Sequence, residues 1–186
     1  MPARIFAASM LLMLATVAQA AETTTEVKAD LVCGDAVLAI QTTFLVDPDR
    51  FTQVLAQRVM WKNMKTNQEK EIPIDGKYVT RHIPEARKIL DAWISGWYCV
   101  KAVNGRYYFG LSYMCADGEY EGICARETVQ VEWSRYMDDQ GVVLFKSPRH
   151  WKMKRAEEAA YRRLGFFDPK RVVSGKSITS SGSSDE

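Results

Sequence analysis

The chain has 186 residues, 47% of them hydrophobic, with 25 Lys+Arg set against 23 Asp+Glu. That size and composition suit one domain with an ordinary core, and the near-balanced charge gives no electrostatic ground for a nucleic-acid partner. No segment approaches the roughly 20 apolar residues of a membrane-spanning helix.

The N-terminus reads as an export signal. Arg4 supplies one positive charge, residues 5–17 carry none, and Ala18-Gln19-Ala20 places small residues at both positions a signal peptidase reads. Thirteen uncharged residues span roughly 20 Å as a helix, short of the roughly 30 Å hydrocarbon core, so cleavage is expected rather than anchoring. No cysteine lies at the boundary, which disfavours a lipoprotein. Cleavage after Ala20 would leave a periplasmic or secreted protein of 166 residues.

The next stretch, residues 21–26, is polar and expected to be loose. Residues 27–33 and 36–44 alternate with period two around Gly34-Asp35, predicting two strands. A further strand is expected from Phe51 to about Lys62, joined by a polar loop to residues 71–74, where Pro73 implies an edge. Residues 84–95 fit a helix: Pro84 at its start, Gly96 as its stop, and Ala86, Ile89, Leu90, Trp93 and Ile94 at helical spacing. Asn104-Gly105 then predicts a type I′ hairpin between residues 97–103 and 106–115. A second hairpin is expected between residues 128–137 and 142–145, across Asp138-Asp139-Gln140-Gly141. Ser147-Pro148 opens a second helix, expected to end at Gly165. Residues 174–186 are rich in Ser and Gly and are expected to be disordered.

Four cysteines follow the signal, namely Cys33, Cys99, Cys115 and Cys124. In an exported chain an even number points to disulfides, and Cys33–Cys99 with Cys115–Cys124 is the favoured pairing. Zinc sites present ligands as close pairs, which these cysteines do not, and His82 and His150 lie far apart. No metal and no cofactor are therefore expected. The fold class that follows is α+β: one antiparallel β-rich domain with a meander or sandwich-like sheet and two helices, stapled by two disulfides.

Two features suggest binding. The loop between Cys115 and Cys124 carries Asp117, Glu119, Tyr120 and Glu121. Closed by a disulfide, it would lose little entropy on docking into a partner. Residues 146–176 hold ten basic residues against three acidic ones. Arg149, Lys152 and Arg155 on the second helix could meet an acidic partner or anionic headgroups, with Trp151, Met153, Ala156, Ala160 and Leu164 as a partial apolar face. The hairpin aromatics Trp97, Tyr98, Tyr107, Tyr108, Phe109 and Tyr113 should place one face in the core. The other face could be a contact surface or lie under a second layer.

The favoured function is a non-enzymatic binding protein of the bacterial envelope, specifically an inhibitor or immunity-type protein acting on another exported protein. One alternative is an envelope glycan- or lipid-acting hydrolase using Glu119 or Glu121 with His82, although no G-x-S-x-G motif occurs. The other is a structural or adaptor subunit docked through its basic arm. The partner is expected to be an envelope protein and not nucleic acid.

Overall fold

A computed structural model of the protein describes residues 23–46, 52–82, 86–115, 132–145 and 155–185. Two antiparallel sheets face each other. The first has the order β1 (Thr23–Cys33), β2 (Ala36–Val46), β3 (Gln53–Asn63) and β4 (Glu69–Glu71). A two-stranded ribbon, β5 (Tyr78–His82) with β6 (Ala86–Leu90), follows in the chain. The second sheet is built from β7 (Ala92–Lys101), β8 (Tyr107–Cys115), β9 (Glu132–Asp138), β10 (Val172–Thr179) and β11 (Gly182–Asp185), in the order β11-β10-β7-β8-β9. One α-helix, α1 (Arg155–Leu164), and a 3₁₀ turn at Pro169–Arg171 lead into β10.

Alternation explains the packing. Leu38, Ile40 and Phe44 of β2 and Val59 and Trp61 of β3 point inward, meeting Ile94, Trp97, Phe109, Leu111 and Met137 of the second sheet. Cys33 of β1 is bonded to Cys99 of β7, with Cα atoms 5.3 Å apart, so a disulfide ties the sheets together inside this core. Of the second expected bridge, Cys115 is not a free thiol, and Cys124 lies outside the described residues.

A smaller core lies on the outer face of the second sheet, where Val100, Tyr108 and Tyr136 are covered by Tyr161 and Phe166. The aromatic hairpin thus has both faces in use at this end. The helix ends as expected at Gly165, whose φ is 77°. Gly165 N–H donates to Arg162 O at 3.0 Å and Phe166 N–H to Tyr161 O at 3.1 Å, the paired bonds of a Schellman stop. Its buried side is Glu157 and Tyr161. Ala156, assigned to the apolar face from sequence, is exposed.

Several expectations are corrected. The helix expected over residues 84–95 is not found in its described part, residues 86–95: β6 and β7 run there instead, separated only by Asp91. Asp91 is buried, and its Oδ1 accepts the Lys77 N–H at 2.6 Å. The chain changes sheets at this residue, so the inward face changes phase. Ile89, Leu90, Ala92 and Ile94 are all fully buried, and this strand phase shift imitates helical spacing. The fold therefore has one α-helix among the described residues, not two.

The tail is also ordered. β10 pairs with β7 from Val172↔Val100 to Ser177↔Gly96, and its Ile178 is buried. Backbone bonding to a waiting strand, with one apolar anchor, overrides a Ser-rich composition. β1 likewise begins at Thr23, inside the stretch expected to be loose. Asn104-Gly105 turns the chain, but with a three-residue loop. Gly105 N–H donates to Ala102 O and Ala102 N–H to Arg106 O, while only Gly105 has positive φ (79°). That is a type I turn with a bulge glycine, not type I′. Asp138 to Gly141 repeats it, with Gly141 N–H donating to Asp138 O at 3.0 Å.

Candidate functional site

The binding residues expected from sequence fall mostly outside the described residues: Asp117, Glu119, Tyr120, Glu121, Arg149 and Lys152. Arg155 is the first residue of α1 and is exposed. His82 closes β5; His150 lies outside the described residues. What the structure does describe is the ground from which residues 116–131 depart and to which they return.

That ground is the end of the β8–β9 pair, where Met114 faces Glu132 and Tyr113 faces Trp133. The Tyr113 and Trp133 rings stack at 5.2 Å with 6° between their planes. Trp133 Nε1–H donates to Asp75 Oδ2 at 3.2 Å, and Arg135 Nε–H donates to the same oxygen at 2.8 Å. The Arg135 side chain is only 7% exposed, so this ion pair is largely withdrawn from water and held by two donors. Burial first, and then the charge of Asp75, pushes the Tyr113 phenol well above its ordinary range. Next to Asp75, Gly76 lies so close to β7 that a Cβ there would overlap the Ala92 carbonyl oxygen at 1.8 Å. The Asp75 turn is therefore clamped onto both β7 and β9.

Beside these strand ends is a cavity of about 460 Å³. Its apolar walls are Phe44 and Val54 from the first sheet, Trp93 and Met114 from the second, and Ile178 from β10. Trp93 meets Phe44 edge-on at 5.5 Å. The floor comes from a feature the sequence conceals. Across the outer face of the second sheet one register row reads Ser184, Ser177, Gly96, Ser112, Ser134, a small residue on each of five strands. Three of these, Ser177, Gly96 and Ser112, line the cavity. The row is visible only once strand order and register are known, because its members come from five separate segments. No ionisable side chain lines the cavity among the described residues. Its polar groups are the hydroxyls of Thr52, Ser95, Ser112, Ser177, Thr179 and Ser180.

Beneath the cavity, β7 carries a register shift between Ile94 and Gly96. Gln57 reaches across from the first sheet to this point. Its Oε1 accepts the Ile94 N–H at 2.7 Å, and its Nε2 donates to Ile94 O at 2.8 Å and to Thr42 Oγ1 at 2.9 Å. A buried amide thus bonds the backbone where β10 no longer pairs with β7.

A second cleft, of about 320 Å³, lies on the outer face of the first sheet around Ala39 and is bordered by charged side chains. Arg58–Glu71 (3.1 Å) and Lys62–Glu69 (2.7 Å) pair across β3 and β4 at its margin. Among the described residues, no three His, Cys, Asp or Glu side chains gather as metal ligands. No helix of the described residues is long and apolar enough to cross a membrane. Comparison with protein-family models, with curated proteins and with solved structures finds no match to this chain.

Proposed function

We propose that the protein is an exported, non-enzymatic binding protein that restrains another exported protein, and that its contact surface is the end of the sandwich at the Phe44–Trp93–Met114 cavity. The observation that carries this reading is the position of that cavity. It adjoins the strand ends from which residues 116–131 run, and those ends are held rigid by the Asp75–Arg135 and Tyr113–Trp133 contacts. A rigid base lowers the ordering cost of a contact made there. The uncharged walls suit an apolar side chain of the partner, while Asp117, Glu119, Tyr120 and Glu121 would add acidic and aromatic contacts. The buried Cys33–Cys99 disulfide is consistent with an oxidising compartment, as the signal-like N-terminus requires.

The test uses two independent variants, Ser112→Trp to fill the cavity and Tyr120→Ala with Glu121→Ala to blunt the loop. A partner isolated from an envelope fraction is purified, and its affinity and residual activity are measured against each form. Each variant should weaken binding by about tenfold or more and relieve inhibition in step. Unchanged affinity for both variants would sink the reading.

A further inference from the structure

The opposite end of the sandwich has a different character. Here the β7–β8 turn meets the end of α1 and the start of β10. Val103 N–H donates to Leu164 O at 3.0 Å, and Arg171 Nη1–H donates to Lys101 O at 3.5 Å. A Cβ placed on Gly165 would lie within 3.0 Å of both the Val103 and the Arg171 side chains. The three segments therefore make one continuous tip.

On that tip four large apolar side chains face outward: Val103 is 59% exposed, Phe167 47%, Val172 42% and Val173 60%. Val173 is at the register shift between Val172 and Ser174, and Val103 is in a turn. These apolar groups are thus exposed at turns, at a strand start and at a bulge. Cations surround them. Arg162 lies over the Phe167 ring at 5.3 Å, Lys101 lies over Tyr107 at 5.6 Å, and Arg163 and Lys170 are exposed. Acidic neighbours are fewer and engaged. Glu158 pairs with Arg162 at 2.7 Å, Asp139 with Arg106 at 2.8 Å, and Asp168 lies 3.7 Å from Arg171.

We propose that this tip docks on a membrane surface bearing anionic lipid. Val103, Phe167, Val172 and Val173 enter the headgroup–acyl boundary while Lys101, Arg163 and Lys170 meet the phosphates. Exposed apolar side chains with a basic surround combine the two forces that hold a peripheral protein on a bilayer, apolar burial and attraction to anionic headgroups. The contact is made by turns and a bulge among the described residues; Arg149 and Lys152 lie outside them. This docking is independent of the partner reading above, since it uses the other end of the molecule.

The experiment is sedimentation of the chain starting at Ala21 with vesicles of phosphatidylcholine containing phosphatidylglycerol, and with phosphatidylcholine alone. Binding should be about tenfold stronger on the anionic vesicles and should fall with added salt. Val103→Ser with Phe167→Ser, and separately Lys101→Gln with Lys170→Gln, should each reduce it by about tenfold while leaving the melting temperature unchanged. As a gain-of-signal measurement, Phe167→Trp should add a blue-shifted emission component on anionic vesicles. Three results overturn the proposal: no binding to anionic vesicles, equal binding by wild type and the Val103/Phe167 variant, or no emission shift for Phe167→Trp. Soluble polyglutamate binding as tightly as vesicles also overturns it and assigns the tip to an acidic protein.

Discussion

Gln57 acts as a replacement for a strand neighbour. Pairing between β10 and β7 stops at Ser177↔Gly96, yet Ile94 lies deeper along β7 and is fully buried. Its N–H and C=O would be left without partners, and the Gln57 amide bonds both. Gln57→Leu keeps much of the volume but abandons two buried backbone groups. Chemical denaturation should show a loss of about 3 kcal/mol, well above the cost of an ordinary surface change. Gln57→Glu separates shape from hydrogen bonding. A carboxylate facing the Ile94 carbonyl is disfavoured, so its folded pKa rises above the unfolded value of about 4.3. The variant should be closest to wild type below about pH 4 and lose stability as pH rises from there, which a pH series of melting curves would read. A pH-independent deficit would show that the amide's donor role has been misread.

At the level of elements, the small aromatic core beneath α1 makes a separate prediction. Tyr98 OH donates to Tyr136 OH at 3.0 Å, and Tyr136 stacks on Phe166 at 4.1 Å. Burial raises the Tyr136 phenol beyond the usual tyrosine range and pushes Tyr161 up to about 12. Groups raised in this way contribute stability that is complete below the unfolded value of about 10 and is lost as pH climbs toward the folded one. The fold should therefore hold to about pH 10 and weaken between about pH 10 and 12. The phenolate absorbance of Tyr136 and Tyr161 should appear together with loss of near-UV circular dichroism. If they ionised without unfolding, the packing around α1 would be looser than these contacts imply.

How far the sequence could be read also differs by element. Period-two alternation located β1 and β2, because Ala29, Leu31 and Cys33 and then Leu38, Ile40 and Phe44 keep one face inward. In contrast, β3 changes phase between Val54 and Val59, and β8 was legible through the Asn104-Gly105 turn. Alternation failed at Asp91, where the inward face changes, and in β10, where backbone pairing rather than side-chain pattern makes the strand. The turn at Asn104-Gly105 was legible as a turn, but its type depends on where the bulge falls. The cavity floor was not legible at all, since Ser177, Gly96 and Ser112 become neighbours only through the order β10-β7-β8. Neither were the exposed valines at the basic tip, which look like ordinary strand residues in the sequence.

Across the whole molecule, the Cys33–Cys99 disulfide joins the first sheet to the second over a sequence separation of 66. Closing a loop of that length is worth about 4 kcal/mol on the chain-entropy estimate. Replacing both cysteines by Ala should lower stability by about that amount, measured as the unfolding free energy extrapolated to water, with a steeper denaturant slope because the uncrosslinked unfolded chain exposes more surface. A much smaller loss would mean that the two sheets already constrain each other in the unfolded chain.

The position of β10 carries a consequence for biogenesis. Although β7, β8 and β9 emerge early, β7 keeps an open edge until Val172–Thr179 arrives to cover it. During folding the chain therefore passes through an interval in which a long, apolar strand edge is available to any neighbouring polypeptide. Truncation after residue 171 should make that interval permanent. Light scattering should then show dimers or aggregates joined through β7, and supplying a peptide spanning residues 172–185 in trans should dissolve them by completing the sheet. The tail that looks dispensable in composition would in that case be the segment that lets the protein leave its assembly line alone.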